Sequence, residues 1–152
     1  MPRTLVLVRH GIPENFNPEG DAARRLTPEG LRVLKRAYPE GLASLRQREG
    51  LRIWSSPAVR ALQTAEAVAD ALGIDPGDVD LHQSLYEQDE EEFLLELGAE
   101  DPDCVVVVGH VPFMEHLAYR ITGVDLLFCK GLACAIELGE DNRGRVLWCV
   151  RP

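Results

Sequence analysis

The sequence predicts a three-layer α/β/α sandwich around a mostly parallel, mixed sheet of about six strands. Short apolar runs, such as residues 4–8 and 104–108, alternate with segments of helical periodicity, as in parallel strands joined by helices. Near the end of the chain, Ala133–Leu138 and residues 145–150 flank a glycine-bounded loop and predict an antiparallel hairpin. Parallel strands closed by a hairpin make the sheet mixed.

The other elements follow the same alternation. Thr27 and Pro28 are the residue types that begin a helix, and Pro39 is expected to kink or split that helix. Further strands are predicted at 51–54 and 79–82, and further helices at 58–72, 90–97 and 112–121. The chain has 152 residues, so residues 1–152 are expected to form a single domain.

Composition and charge exclude some functional classes. The net charge is −9, from 16 Lys plus Arg and 25 Asp plus Glu, which disfavours nucleic acid as a partner because such binding needs a basic surface. No run of about 18 apolar residues occurs, and the N-terminus lacks the apolar stretch of a signal peptide. We therefore expect a cytoplasmic protein that does not bind a membrane.

The four cysteines lie among apolar neighbours and form no Cys-x-x-Cys pair. This arrangement predicts reduced thiols packed in the core of a cytosolic protein. The sequence also shows no dense cluster of Asp and His, so neither a metal nor another cofactor is expected.

Polar residues follow four of the predicted strands at the point where each strand ends. They are Arg9, His10 and Gly11 after the first strand, Ser55, Ser56 and Arg60 after the second, Glu87 after the third, and Gly109 and His110 after the fourth. Because ligands of parallel α/β sheets bind outside the carboxyl ends of the strands, these side chains are expected to share one site.

The residue types in this cluster favour a phosphoryl group. Two guanidiniums match phosphate oxygens, and the helices that begin near Pro57 and Val111 add amides and a positive dipole end. A neutral histidine, oriented through its other nitrogen, can attack phosphorus and form a phosphohistidine. A second, protonated histidine would stabilise the transferring group, and a nearby carboxylic acid would protonate the leaving group.

Three segments in this order resemble the signature of the histidine phosphatase superfamily, which has the phosphoglycerate-mutase-like fold. They are Arg9-His10-Gly11, the stretch from Ser55 to Thr64 that contains Arg60, and Gly109-His110. The resemblance implies that His10 is the nucleophile, that Arg9 and Arg60 bind phosphate, and that His110 steadies the phosphoryl group.

The resemblance also implies that an arginine of the loop after the first segment reaches the phosphate. Arg24 is the preferred candidate and Arg25 is its rival. Gly11, Ser56 and Val111, which neighbour the catalytic candidates, are predicted to contact the substrate as well.

The short chain, with no inserted lid, resembles the SixA-like branch of phosphohistidine phosphatases. Its implied partner is a phosphorylated protein domain, whose phosphohistidine would reach a shallow site. Glu87 departs from that branch, since it resembles the general acid of members that hydrolyse phosphate esters. Two alternatives therefore stay open: a phosphatase for small phosphomonoesters with Glu87 as the acid, and a non-catalytic module that binds phosphorylated partners.

Overall fold

The computed structural model describes residues 3–152. Its central sheet has six strands: β1 (Arg3–Arg9), β2 (Leu51–Ser55), β3 (Asp80–Leu81), β4 (Cys104–Gly109), β5 (Ala133–Leu138) and β6 (Gly144–Val150). Their spatial order is β3-β2-β4-β1-β5-β6. Strands β1 to β4 run parallel to one another, and β5 and β6 are antiparallel to their neighbours. The predicted mixed sheet and its closing hairpin are thus confirmed.

Helices cover both faces of this sheet. They are α1 (Pro28–Gly41), α2 (Val59–Leu72), α3 (Gln83–Tyr86), α4 (Glu90–Glu100) and α5 (Phe113–Thr122). Apolar residues of α1 and α2 form one core with one face of the sheet, and those of α3, α4 and α5 form a second core with the other face. The arrangement is the predicted three-layer sandwich. None of the helices within residues 3–152 has both the length and the apolar character that a membrane crossing requires.

Strand β1, near the centre of the sheet, contains an unbroken apolar run because both of its faces are buried. Val6 and Val8 belong to the core beneath α1 and α2, whereas Leu5 and Leu7 belong to the opposite core, and all four are fully buried. Complete burial of each such side chain contributes about 2 kcal/mol. The two-sided burial holds the end of this strand, and the residues that follow it, in a fixed position.

Two predicted boundaries differ from the structure. The third strand was predicted over residues 79–82 but pairs only at Asp80–Leu81, because His82 already precedes the next helix. Helix α1 begins at Pro28, with Thr27 as its N-cap as predicted, but Pro39 does not split it. Pro39 lies in the last turn, where a missing amide removes only one helical hydrogen bond.

The prediction of four reduced thiols is wrong for one pair of cysteines. Cys134 and Cys149 occupy directly opposite positions on β5 and β6 and form a cross-strand disulfide, with 4.1 Å between their Cα atoms. The pairing depends on the register of the hairpin, which Cys spacing alone does not reveal. Cys104 and Cys129 are free thiols, and burial raises the pKa of the Cys104 thiol.

Candidate active site

The carboxyl ends of β1, β2 and β4 bring the three signature segments together. The amide of His10 donates to the carbonyl of Gly109 at 3.0 Å, and the amide of Ser56 donates to the carbonyl of Val108 at 2.9 Å. These bonds continue the sheet one residue beyond the strands, so His10, Ser56 and His110 meet at one edge. The convergence expected from parallel strands is therefore present in the structure.

His10 is held in one tautomer. Its side chain is almost fully buried, and its Nδ1 lies 2.7 Å from the carbonyl oxygen of Gly11. A carbonyl oxygen can only accept a hydrogen bond, so Nδ1 carries the proton and Nε2 keeps its lone pair. This is the orientation through the other nitrogen that a nucleophilic histidine requires.

Burial keeps this imidazole uncharged. The pKa of His10 is lowered to about 4, chiefly by loss of solvation and also by the nearby charges of Arg60, Arg9 and Arg24, and the Gly11 bond only partly opposes this. At neutral pH the ring is therefore neutral, and the cations around it favour this neutral form. A neutral ring with a free Nε2 is the form that can attack phosphorus.

His110 faces His10 across the site. The centres of the two rings lie 5.3 Å apart, so one phosphoryl group can contact both. Nε2 of His110 lies 2.8 Å from the hydroxyl oxygen of Ser56, which can donate to a neutral ring or accept from a protonated one. The predicted residue Ser56 thus orients a catalytic candidate, whereas its direct contact with substrate stays a prediction.

In the free site His110 is uncharged at neutral pH, so the protonated ring that we expect during phosphoryl transfer stays a prediction. Its pKa is lowered to about 3, chiefly by burial and also by the neighbouring His10 and Arg60, and Asp21 opposes this only in part. Without an anion in the site, a positive charge on His110 would face fixed guanidiniums in a poorly solvated place. A bound phosphate dianion reverses that balance and favours a proton on this ring.

Arg9 contains a buried donor without an acceptor. Its Nη1 donates to the carbonyl of Phe128 at 2.8 Å, while its Nε is buried and has no hydrogen-bond partner among residues 3–152. An unsatisfied buried donor costs about 1–3 kcal/mol, which an incoming anion can offset. The backbone of this segment is fixed by Gly131, whose amide donates to the carbonyls of both Arg9 and His10. A Cβ at Gly131 would lie 2.8 Å from a methyl of Leu34, so only glycine fits there.

Arg60 is joined to the first segment through its own helix. The hydroxyl of Thr64 donates to the carbonyl of Arg60 at 2.8 Å and accepts from the amide of Gly11 at 3.0 Å. Thr64 therefore fixes α2 against the nucleophile segment. The Gly11 amide is already used in this bond, so a direct contact between that amide and the substrate remains only a prediction.

Arg24, and not Arg25, belongs to the cationic cluster. Arg24 is partly buried, donates from Nε to the carbonyl of Glu14 at 2.9 Å, and is close enough to lower the pKa of His10, whereas Arg25 is exposed. The structure therefore favours Arg24 between the two candidates that the sequence left open.

Asp21 and Tyr86 were missed by sequence reasoning. The Asp21 carboxylate accepts hydrogen bonds from Arg24 at 3.0 Å, Arg60 at 3.1 Å and the Tyr86 hydroxyl at 3.0 Å. Asp21 precedes Arg24 by three residues, one turn of a short 3₁₀ helix, and that spacing was the available signal. In the sequence, an acidic residue near a predicted phosphate ligand is not distinguishable from an ordinary exposed carboxylate.

The two remaining candidates are less embedded. Glu87 is the C-cap of α3, and its exposed side chain makes no hydrogen bond or ion pair with the described residues. Val111 follows His110 and is half-buried at the start of the turn that leads into α5. Within residues 3–152 no three His, Cys, Asp or Glu side chains are grouped as metal ligands would be.

The chain belongs to the histidine phosphatase superfamily. The family model described as "Histidine phosphatase superfamily (branch 1)" matches residues 5–94, which is more than half of the chain and includes Arg9, His10 and Arg60. His110 lies beyond the matched segment, so its place in the site depends on the geometry of β4. No curated protein sequence matches the chain.

Solved structures share the fold over nearly the whole chain. The protein histidine phosphatase SixA in complex with tungstate superposes with a TM-score of 0.82 at 23% identity, covering 98% of this chain and 97% of that one. A SixA protein from Agrobacterium tumefaciens gives 0.81 at 25% identity, with coverage of 100% and 99%. A mycobacterial glucosyl-3-phosphoglycerate phosphatase gives 0.68 at 18% identity, with coverage of 96% and 97%.

Proposed function

We propose that this chain is a metal-independent phosphatase that removes phosphate from protein phosphohistidine through a covalent intermediate on His10. The observation that carries the proposal is the Nδ1 contact of His10 with the Gly11 carbonyl, which leaves Nε2 unprotonated in a cationic site. A site that only bound phosphate would gain nothing from a buried, neutral nucleophile.

In the first step, Nε2 of His10 attacks phosphorus while the bond from phosphorus to the leaving group breaks. For a phosphohistidine substrate, the leaving imidazole takes a proton from solvent on its other ring nitrogen and departs neutral. Arg9, Arg24 and Arg60 neutralise the charge on the phosphoryl oxygens, and His110, protonated once the anion is bound, adds to this.

In the second step, a water molecule attacks phosphorus from the side that the leaving group has vacated. The P–N bond to His10 breaks, the electron pair returns to Nε2, and the water proton is released with the phosphate. His10 is thereby restored to its neutral form. Because Nδ1 keeps its proton throughout, the Gly11 carbonyl preserves the geometry of the ring in both steps.

Two features favour protein phosphohistidine as the substrate. Relatives named SixA, one of them described as a protein histidine phosphatase, match this chain along nearly their full length. In addition, cleavage of a P–N bond needs little help from a general acid, and Glu87 has no polar partner that would orient it as one. The proposed partner is therefore a phosphorylated protein domain.

The proposal is tested by trapping the intermediate. The protein is mixed with ³²P-labelled phosphoramidate, whose P–N bond imitates the substrate, and is quenched in alkali and in acid. We expect a base-stable, acid-labile phosphoenzyme in the wild type and in the matched control His116→Ala, whose ring is exposed. The label should be absent from His10→Ala. Equal labelling of His10→Ala and wild type would refute the role of His10.

A phosphatase for small phosphomonoesters, with Glu87 as general acid, is the second candidate. The similarity to the mycobacterial glucosyl-3-phosphoglycerate phosphatase favours it. Glu87→Gln would then lower kcat at least tenfold on an alkyl phosphate but change hydrolysis of phosphoramidate little, since only the alkoxide needs a proton as it leaves. Glu92→Gln, a change of an exposed acid in the next helix, is the matched control. Equal, small effects of both changes on both substrates would remove Glu87 from the mechanism.

A non-catalytic phosphate-binding module is the alternative from another class. It predicts tight binding of phosphorylated partners with no release of phosphate and no labelled enzyme. The cytoplasmic location stays a prediction.

A further inference from the structure

The loop between β1 and α1 places a carboxylate against the arginines of the site. Oδ1 of Asp21 accepts from Nη1 of Arg24, and Oδ2 accepts from Nη2 of Arg60 and from the Tyr86 hydroxyl. The main-chain carbonyl of Asp21 accepts a further bond, 2.8 Å long, from Nη1 of Arg60. One residue thus links three side chains from three separate parts of the chain.

Several contacts hold the loop that carries Asp21 in one conformation. Its base is closed by an isolated bridge between Pro13 and Leu26. Inside it, the side-chain amide of Asn17 donates to the carbonyl of Ala23 at 3.2 Å. Gly20, directly before Asp21, has a φ of 111°, which a residue with a side chain rarely adopts. These constraints fix where the carboxylate lies.

The contacts leave the guanidiniums able to bind a second anion. A guanidinium has five N–H donors, and Arg60 uses two of them, one from Nη1 and one from Nη2, in its bonds to Asp21. The side chain of Asp21 is 53% exposed while that of Arg60 is 8% exposed, so the carboxylate lies on the solvent side of the arginine. His10 and His110, like Arg60, are buried.

We propose that Asp21 is a positioning residue that holds Arg24 and Arg60 in the orientation needed to bind the phosphoryl group. An unrestrained arginine loses side-chain entropy when it becomes ordered around a ligand. Asp21 imposes that order before the ligand arrives, so the anion meets donors that are already aligned. The inference rests on the proposed function only for the identity of the anion as phosphoryl.

The opposite role for the same carboxylate is that of an internal competitor, which must leave before phosphate can bind. The two roles predict opposite signs. If Asp21 positions the arginines, its removal weakens anion binding despite the loss of a negative charge. If it competes, its removal strengthens anion binding.

The test measures the affinity for tungstate by calorimetry in Asp21→Asn, a nearly isosteric change that removes the charge. We expect binding about tenfold weaker than in the wild type, because hydrogen bonds to charged groups are weakened at both arginines. The matched control is Glu19→Gln, which removes one negative charge from the same exposed loop and should leave the affinity unchanged. Unchanged or tighter binding in Asp21→Asn would overturn the proposal.

A double-mutant cycle shows whether Asp21 acts through an arginine. In an Arg24→Ala background, Asp21→Asn should weaken tungstate binding less than it does in the wild type, since one of its partners is already gone. Fully additive effects would contradict the inference. Tungstate binding does not require turnover, so this result is independent of whether His10 forms a phosphoenzyme.

Discussion

The floor and the rim of the site differ in how they are built. The floor consists of His10, Arg60 and His110, each 5–7% exposed, on residues that follow strands or begin a helix. The rim consists of Asp21, Arg24 and Tyr86, on a loop and a four-residue helix. The floor thus inherits its position from the sheet, whereas the rim depends on bonds among its own side chains. We infer that the chemistry belongs to the floor and that the rim aligns and selects the substrate.

The two regions also use opposite means to set their charges. Burial keeps the histidines of the floor neutral by lowering their pKa values. At the rim, hydrogen bonds keep a carboxylate charged, since Arg24 first, and Tyr86 and Arg60 after it, lower the pKa of Asp21 to about 2. The free site therefore has neutral histidines beside an ionised network.

The largest loss of activity is expected when the buried Arg60 is changed, and the more exposed Arg24 provides the comparison. Arg60→Lys is expected to lower kcat/KM about 100-fold, because a lysine has no planar fork and the lost contacts lie in a buried place. Arg24→Lys, at a side chain that is 25% exposed, is expected to lower it about tenfold. Steady-state hydrolysis of phosphoramidate measures both. Arg25→Lys is the exposed control and should retain full activity.

Equal losses for Arg60→Lys and Arg24→Lys would break the distinction between floor and rim. Such a result would mean that Arg24, the more exposed arginine, contributes as much to the transition state as the buried Arg60 does.

The floor should also make the fold sensitive to acid. The pKa of His10 is about 4 in the folded protein and about 6.5 in the unfolded chain, so between these values the unfolded chain binds more protons. Stability is therefore retained above pH 6.5 and declines as the pH falls towards 4. For His10 alone, the free energy of unfolding should drop by about 2 kcal/mol between pH 7 and pH 5.

Urea unfolding at pH 7 and pH 5 measures this decline. His10→Asn, which cannot titrate there, should show a smaller decline than the wild type. The same pH dependence in wild type and His10→Asn would show that the ring titrates as it does in water.

Much of the fold and of the floor could be predicted from the sequence. Unbroken apolar runs identify strands that are buried on both sides, and in a parallel sheet their carboxyl ends coincide. The same reasoning brings Arg9, His10, Arg60 and His110 together from the sequence alone. The short edge strand β3 was harder, because its few residues are exposed and carry little apolar signal.

The rim and the disulfide could not be predicted in the same way. Asp21 acquires its role through bonds to Arg60 and Tyr86, which are 39 and 65 residues away in the chain. The Cys134–Cys149 bond depends on the register of a hairpin with a bulge. Contacts at such separations are set by tertiary packing and not by a local pattern.

Ser56, which contacts His110 of the floor, should show an effect on kcat of intermediate size when it is changed to alanine. The change removes the hydroxyl that holds Nε2 of His110, so the ring loses its orientation and kcat should fall about tenfold. Ser55→Ala is a matched control, since its buried hydroxyl donates only to the carbonyl of Ser56. Single-turnover labelling with phosphoramidate separates the two variants. Similar rates for both would show that the loss reflects packing and not the orientation of His110.

The smallest effect is expected at the rim, from Tyr86→Phe. The change deletes one hydrogen bond to Asp21 but leaves both arginines attached to the carboxylate, and the pair is partly exposed. Such a bond contributes about 0.5–1.5 kcal/mol, so tungstate affinity should weaken only a few-fold. The effect should disappear in an Asp21→Asn background, because the hydroxyl acts through that carboxylate. A loss that persists there would mean that Tyr86 contacts the bound anion directly and does not act through Asp21.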